Sequence, residues 1–276
     1  MFKAGEPIDQ ESLEALMDAA WPAVEHAEAG PWVLRASEGV TQRANSVWPR
    51  GAVTHAGEVV EALRSAADWY RRRKLPLILQ TFDDARSEVL HDVLDTQRFT
   101  RQSETLIMVR GTEPWAPVQQ SPVRQSPVQL SPAQPGVELS AEPTEDWLRL
   151  WWAVDGRGGE RELAVAREIL TGCPSLYALA RDDDGNPAAV GRLALVGGRG
   201  GIYCMATAAG RRRQGFGSLV LAALLEEGTR LGLDGFWLLV TSANAGARRL
   251  YETAGFLRQG SYLYRQEPLR RAPGGC

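Results

Sequence analysis

Cysteine is scarce in this chain. Cys173, Cys204 and Cys276 are odd in number and lack the paired spacing of a metal site. That excludes a disulfide framework, and no metal is expected; a reducing cytoplasm is the compartment such usage fits. Histidine is scarcer than its count of three suggests, because His26, His55 and His91 all fall in the first third of the sequence. A histidine-based nucleophile or base is therefore excluded from the remainder of the chain. No apolar run approaches the about 20 residues of a membrane-spanning helix. The opening "MFKAGEPIDQESLEAL" lacks the charged-then-apolar order of a signal peptide, so no membrane association is expected. A formal net charge of -3 gives no global pull toward nucleic acid. The arginine runs at 71–73 and 211–213 lack the interleaved aromatics of a nucleic-acid surface.

What is present is a chain of 276 residues, 44% hydrophobic, enough for two cores. One segment cannot contribute to either. "PVQQSPVRQSPVQLSPAQPG", residues 117–136, repeats a proline every few positions, which removes backbone donors and favours extended geometry. It reads as a semi-rigid spacer. The division expected is 1–112, a Pro/Gln/Ser-rich linker over 113–136, and 137–276.

The first part reads as mixed α and β. "QESLEALMDAAW" has helical spacing. "PWVLRAS" and "TQRANSVWP" read as strands, and "GEVVEALRSAADWYRRRK" as a helix with Val60, Leu63, Ala67 and Tyr70 on one stripe. "LPLILQTF", a further helix and "SETLIMVRG" complete it. In the last part, "VELSA" is followed by two helices, then by three consecutive strands, "SLYALARD", "NPAAVGRLALVGG" and "GIYCMATAA". "DDDGN" makes the first hairpin turn. A helix from Gly215 to about Leu231, the strand "GFWLLVT", the helix "AGARRLYETAG" and the strand "SYLYRQ" follow.

"RRRQGFGSL", residues 211–219, ends a strand and opens a helix. The first turn of a helix offers unpaired N–H groups and positive dipole character, a ready seat for phosphate. Gly215 and Gly217 clear the approach, and Arg211, Arg212 and Arg213 add charge beside it. The alternative is a glycine-containing turn with a solvated arginine run. The loop matches neither G-x-x-x-x-G-K-[ST] nor G-x-G-x-x-G, which argues against an ATPase and a dinucleotide oxidoreductase.

Arg212-Arg213-Gln214-Gly215-Phe216-Gly217 resembles the [Q/R]-x-x-G-x-[G/A] signature of the GNAT N-acetyltransferases. Asn244 to Phe256 is similar to that family's N-x-x-A-x-x-L-Y-E-x-x-G-F segment. The resemblance covers residues 137–266. It implies an α/β (α+β) fold, a mixed, mostly antiparallel sheet flanked by helices, and a cytoplasmic, bacterial-type enzyme. The reaction implied is direct transfer of an acetyl group from acetyl-CoA to a primary amine of a small molecule or protein. It implies, residue by residue, that Met205, Ala206 and Thr207 pair with the pantetheine arm. The amides from Arg213 to Ser218, with Arg212, Gln214, Gly215, Phe216 and Gly217, hold the pyrophosphate. Asn244 and Ala247 contact the cofactor arm, and Tyr251 stands near the thioester sulfur as general acid. The competing role for Tyr251 is packing a helix on the sheet.

The strand before the loop departs from the pattern, since "GIYCMATAA" carries no glutamate to act as base. Glu160, Asp155, a water relayed by Tyr203, a group supplied across the domain interface, or an amine that arrives already deprotonated are the alternatives. This absence also keeps open a non-catalytic acetyl-CoA sensor or regulatory module. Cys204 reads as a small buried hydrophobe and not a nucleophile. Trp147 and Trp151 share a helix face, either as an acceptor-pocket wall or as core, with Gly156, Gly158 and Gly159 as the flexible part of a lid. The order of elements in residues 1–112, and "RANSVWP", resemble the first half of bacterial tandem acetyltransferases. The loop "PRGAVTHAG" lacks the paired glycines, so this part is expected to be a degenerate GNAT-like domain without a CoA site, shaping the acceptor site or holding a homodimer.

Overall fold

The computed structural model describes residues 8–52, 55–111 and 136–268. The expected linker, apart from Gly136, and Cys276 lie outside the described residues.

The elements in chain order are α1 (Gln10–Ala19), β1 (Glu25–Ala29), β2 (Trp32–Ala36), β3 (Val47–Pro49), α2 (Ala56–Arg72), β4 (Ile78–Phe82), α3 (Glu88–Thr96), β5 (Thr100–Arg101) and β6 (Thr105–Arg110). After the undescribed segment come β7 (Val137–Ser140), α4 (Glu145–Asp155), α5 (Glu160–Thr171), β8 (Ser175–Arg181), β9 (Pro187–Val196), β10 (Arg199–Thr207), α6 (Phe216–Arg230), β11 (Phe236–Thr241), α7 (Ala245–Thr253) and β12 (Leu257–Gln266).

Local chemistry explains most of these boundaries. Asp9 caps α1 by accepting the Ser12 amide at 2.8 Å, and Thr144 caps α4 through the Trp147 amide at 3.2 Å. Gly197 and Gly198, with φ of 56° and 76°, make the two-residue β9–β10 turn that only left-handed backbone allows. The β8–β9 turn over Asp182–Asn186 closes as expected. Asp182 Oδ1 accepts from the amides of Asp184 and Asn186, and Gly185 has φ 82°.

All strands join one sheet in the order β1-β2-β3-β4-β12-β6-β11-β10-β9-β8-β7, with β5 beside β12. Most pairings are antiparallel; β3·β4 and β10·β11 are parallel, each bridged by a helix, α2 and α6. The two parts of the chain exchange their last strands. β6 lies between β12 and β11, and β12 lies between β4 and β6. Each part thus lends the other the strand that covers an otherwise open edge.

Three apolar clusters fill the molecule. One sits between α2, α3 and the first strands, around Trp32, Leu63, Tyr70 and Leu79. A second lies under α6, around Val220, Leu224, Phe236 and Phe256. The third, on the opposite face, joins both parts of the chain: Leu13, Trp21 and Trp48 meet Trp147, Tyr177 and Trp237.

Several expectations need correcting. Only Val47–Pro49 of "TQRANSVWP" is a strand; Arg43–Asn45 forms a 3-10 turn, held because Asn45 caps the amides of Ser37 and Gly39. β1 was not anticipated, and the α2 stripe keeps the expected Leu63 and Tyr70 but takes Val59, Ala66 and Trp69 in place of Val60 and Ala67. Trp147 and Trp151 are core. Trp147 donates to the Gly191 carbonyl at 3.1 Å and meets Tyr177 edge-on at 5.1 Å. The glycines before α5 form a cap in which Glu162 accepts the Gly159 amide at 2.7 Å.

Candidate active site

β10 and β11 pair over only three residues, Gly200–Ile202 against Phe236–Leu238. Beyond Ile202 the two parallel strands diverge. β10 keeps its other neighbour, β9, but through a bulge between Tyr203 and Ala206 in which Cys204 takes φ 55°. The β11-facing edge of β10 from Tyr203 to Thr207 is thereby free of sheet pairing. Met205, Ala206 and Thr207, singled out from the sequence, lie on that open edge.

The chain leaves β10 through a 3-10 turn, Ala209–Arg211, and enters α6 at Gly215, whose φ of 90° is the left-handed geometry glycine takes without strain. Gly215 has no side chain to cap the helix, and the first turn holds no acid, so its amides are offered outward. Gly217 faces the gap: a Cβ there would stand 3.4 Å from Thr207 Oγ1 and 3.8 Å from Leu250 Cδ2. The loop is braced by its own side chains. Gln214 donates to the Gly210 carbonyl at 3.0 Å, and Arg211 pairs with Asp182 at 2.7 Å. Arg211 therefore ties the loop to the β8–β9 turn, which corrects its expected place beside a phosphate. Arg212 and Arg213 are exposed and enter no salt bridge among the described residues.

Tyr251 on α7 is buried, packs edge-on against Phe256 at 6.2 Å, and its hydroxyl makes no hydrogen bond among the described residues. Burial, then the nearby charge of Asp155, pushes its phenol up to about 12. Asp155, the last residue of α4, is exposed, and the partial desolvation of its carboxyl raises it above the ordinary range, against the pull of Arg212. Asp155 also acts on Cys204, whose thiol burial pushes up to about 12. A thiol held neutral in this way is inert, as its reading as a small hydrophobe expects. Divergent strands and an uncapped helix start thus converge on one end of β10, with a phenol nearby that feels the charge of Asp155.

The family model described as "Probable histone acetyltransferase Rv0428c C-terminal" matches residues 9–265. The chain belongs to that family, of the GNAT type. It is 26% identical over 259 residues to a protein of Bacillus subtilis (strain 168) described as uncharacterized N-acetyltransferase YobR, covering 93% of this chain and 98% of that one. Among solved structures, a GCN5-related N-acetyltransferase from Kribbella flavida superposes with TM-score 0.66 at 19% identity, over 96% of each chain. A tandem GNAT protein from the clavulanic acid biosynthesis pathway superposes with TM-score 0.62 at 12% identity, over 98% of this chain and 91% of its own. These two share the fold. The family makes this GNAT protein an acyltransferase. Among its described residues no helix is long and apolar enough to cross a membrane, and no group of three His, Cys, Asp or Glu is placed to hold a metal.

The remaining candidates of this GNAT chain divide. Asn244 Oδ1 accepts the Ala247 amide at 3.1 Å and caps α7, while its amide nitrogen makes no hydrogen bond among the described residues. Phe216 is half-buried against the α6 cluster, and Ser218 is exposed. Of the base candidates, Glu160 is exposed and paired with Arg149, which lowers its carboxyl. The Tyr203 hydroxyl accepts from Trp237 Nε1 at 3.1 Å, and burial pushes its phenol up to about 12. Only Asp155 is placed to act on Tyr251. Sequence reasoning missed Arg192 on β9, fully buried within "AVGRLALV". The signal was a charge at a position whose neighbours are all apolar.

Proposed function

We propose that the C-terminal part, residues 137–276, transfers the acetyl group of acetyl-CoA to a primary amine, and that residues 1–112 form a degenerate GNAT-like unit, joined through 113–136, that shapes the acceptor side. The observation carrying this reading is the coincidence of the β10–β11 divergence with the α6 start. An extended amide-bearing arm fits the open edge of β10, and a pyrophosphate fits the amides of Gly215–Ser218. Met205, Ala206 and Thr207 offer backbone groups to the arm; Arg212 and Arg213 neutralise phosphate charge; Gln214 holds the loop in shape. Asn244, through its free amide nitrogen, and Ala247 border the arm from α7.

Acetyl-CoA supplies a thioester with a good leaving group. The chain's part is to hold amine and thioester together, worth several kcal/mol of barrier in general. An N–H of β10 beside the bulge polarises the thioester carbonyl. Asp155, its carboxyl poised upward by desolvation, accepts the proton the amine sheds as the C–N bond forms. Tyr251 donates a proton to the sulfur as the C–S bond breaks, and regains one through solvent. A non-catalytic sensor is not favoured, since the relatives are described as N-acetyltransferases. Release of CoA thiol, dependent on added amine and accompanied by the acetylated amine in mass spectra, tests the reading. Tight CoA binding without thiol release across a broad amine panel supports the sensor instead.

A further inference from the structure

Four side chains from both parts of the chain meet beside the β10 bulge. Trp21 stacks on Tyr203 with centroids 5.5 Å apart and planes 28° from parallel. Two guanidiniums adjoin this stack. Arg43 lies 5.3 Å from the centroid of each ring, and Arg192 lies 5.7 Å from Trp21 and 5.8 Å from Tyr203. Arg192 is 0% exposed; Arg43 is half-buried, and besides Tyr203 its guanidinium has the phenols of Tyr262, a hydrogen-bond partner, and Tyr264 beside it, both neutral groups.

Neither cation has a carboxylate within salt-bridge distance among the described residues. Arg192 donates to neutral groups only, the Ala20 carbonyl at 2.9 Å and Cys173 Sγ at 3.0 Å. The Nε atoms of both arginines are buried without a hydrogen-bond partner. Buried Arg265 also has an unpartnered Nε but pairs with Asp95 at 2.5 Å, and buried Arg35 pairs with Asp18 at 2.9 Å, so what sets Arg43 and Arg192 apart is the lack of a carboxylate. Placing two cations together in a low-dielectric site without counter-charge is costly, and aromatic faces offset only part of it. The stack lies at Tyr203, where the β10 bulge begins, and the charges of Arg192, Asp155 and Arg43 all reach the neighbouring Cys204 thiol.

We propose that Arg43 and Arg192 recognise a carboxylate on the acceptor, so that the amine acetylated by this enzyme is an amino acid or a close analogue. This rests on the acetyl-transfer reading and narrows it. The carboxylate takes the place of the missing counter-charge beside Arg43, with Arg192 behind it. The acceptor nitrogen then lies toward Asp155 and the β10 bulge. Trp21 and Arg43 come from residues 1–112, which gives the first part of the chain a role in acceptor choice without a CoA site of its own.

The test is calorimetry on the full chain, with and without CoA, against a panel of N-acetylated amino acids and their matched primary amides. The acids are products of the proposed reaction, and the amides are near-isosteres that lack the charge. At least one acid should bind tenfold or more tightly than its amide, the scale of losing a charge-assisted hydrogen bond. Arg43→Gln should remove that preference, and Arg43→Lys should keep part of it with an unchanged melting temperature. Equal binding of acids and amides throughout, no acid binding at all, or an acid preference that survives Arg43→Gln overturns the assignment. Amine-dependent thiol release that ignores carboxylates overturns this inference while leaving acetyl transfer standing. Absence of both CoA binding and thiol release removes both.

Discussion

Replacing Tyr251 by Phe separates catalysis from packing. The ring fills its place against Phe256 in either form, and the hydroxyl makes no hydrogen bond within the described fold. Removing it leaves no orphaned partner, so stability should change by no more than about 0.5 kcal/mol. Tyr177 supplies the control. Its hydroxyl donates to the buried Leu170 carbonyl at 2.7 Å, and Tyr177→Phe should cost roughly 1–3 kcal/mol. If Tyr251 protonates the departing sulfur, turnover in Tyr251→Phe should fall by about 10² to 10⁴ with CoA affinity intact. Thiol-release kinetics, calorimetry and denaturant melts on both variants measure the three quantities. Because burial and Asp155 hold the phenol near 12, the donor stays protonated through the working pH range. Wild-type turnover in Tyr251→Phe, measured where thioester cleavage limits the rate, refutes the role. A melting loss as large as that of Tyr177→Phe would mean the hydroxyl is structural.

Asp155→Asn should lower turnover by about 10² or more without lowering stability at neutral pH. A carboxyl whose folded value is raised favours the folded state below its unfolded value and loses that contribution as pH rises, so the neutral amide is no worse. For the same reason the acid limb of kcat/KM in the wild type should lie above the range of an ordinary carboxylate, and a limb at or below it speaks against Asp155 as base. Arg213→Gln should weaken CoA more than dephospho-CoA or a pantetheine fragment, with the difference shrinking at high salt; equal losses place the arginine elsewhere. Arg211→Gln, which only frees Asp182, should weaken CoA less than Arg213→Gln. Expressed separately, the two parts of the chain should fail to fold and should recover on co-expression, because β6 and β12 each complete the other's sheet. Two independently stable halves would contradict the exchange.

The C-terminal elements that carry the candidate site were legible because their devices are local. Glycines at a strand-to-helix turn, a helix stripe and a hairpin turn each act within a few residues. The strand exchange was not legible. "TLIMVR" and "SYLYRQ" read as strands in any pairing, and no local pattern says which edge each will join. β1, "EHAEA", escaped because it is an edge strand exposed over most of its length and carries no apolar alternation. Arg211 looked like part of a phosphate-binding run because sequence shows charge but not that Asp182 stands 2.7 Å away. Arg43 and Arg192 are 149 positions apart in the chain, and only the sheet brings them to one aromatic stack.

The most direct measurement is a calorimetric titration of the full chain with acetyl-CoA, in wild type and in Gly217→Asp. One site per chain is predicted, because among the described residues the paired-glycine helix start beside diverging parallel strands occurs at β10 and α6. Gly217→Asp should abolish binding by setting a carboxylate at the gap beside Thr207. Two equivalent sites, or binding undiminished in Gly217→Asp, would contradict the account.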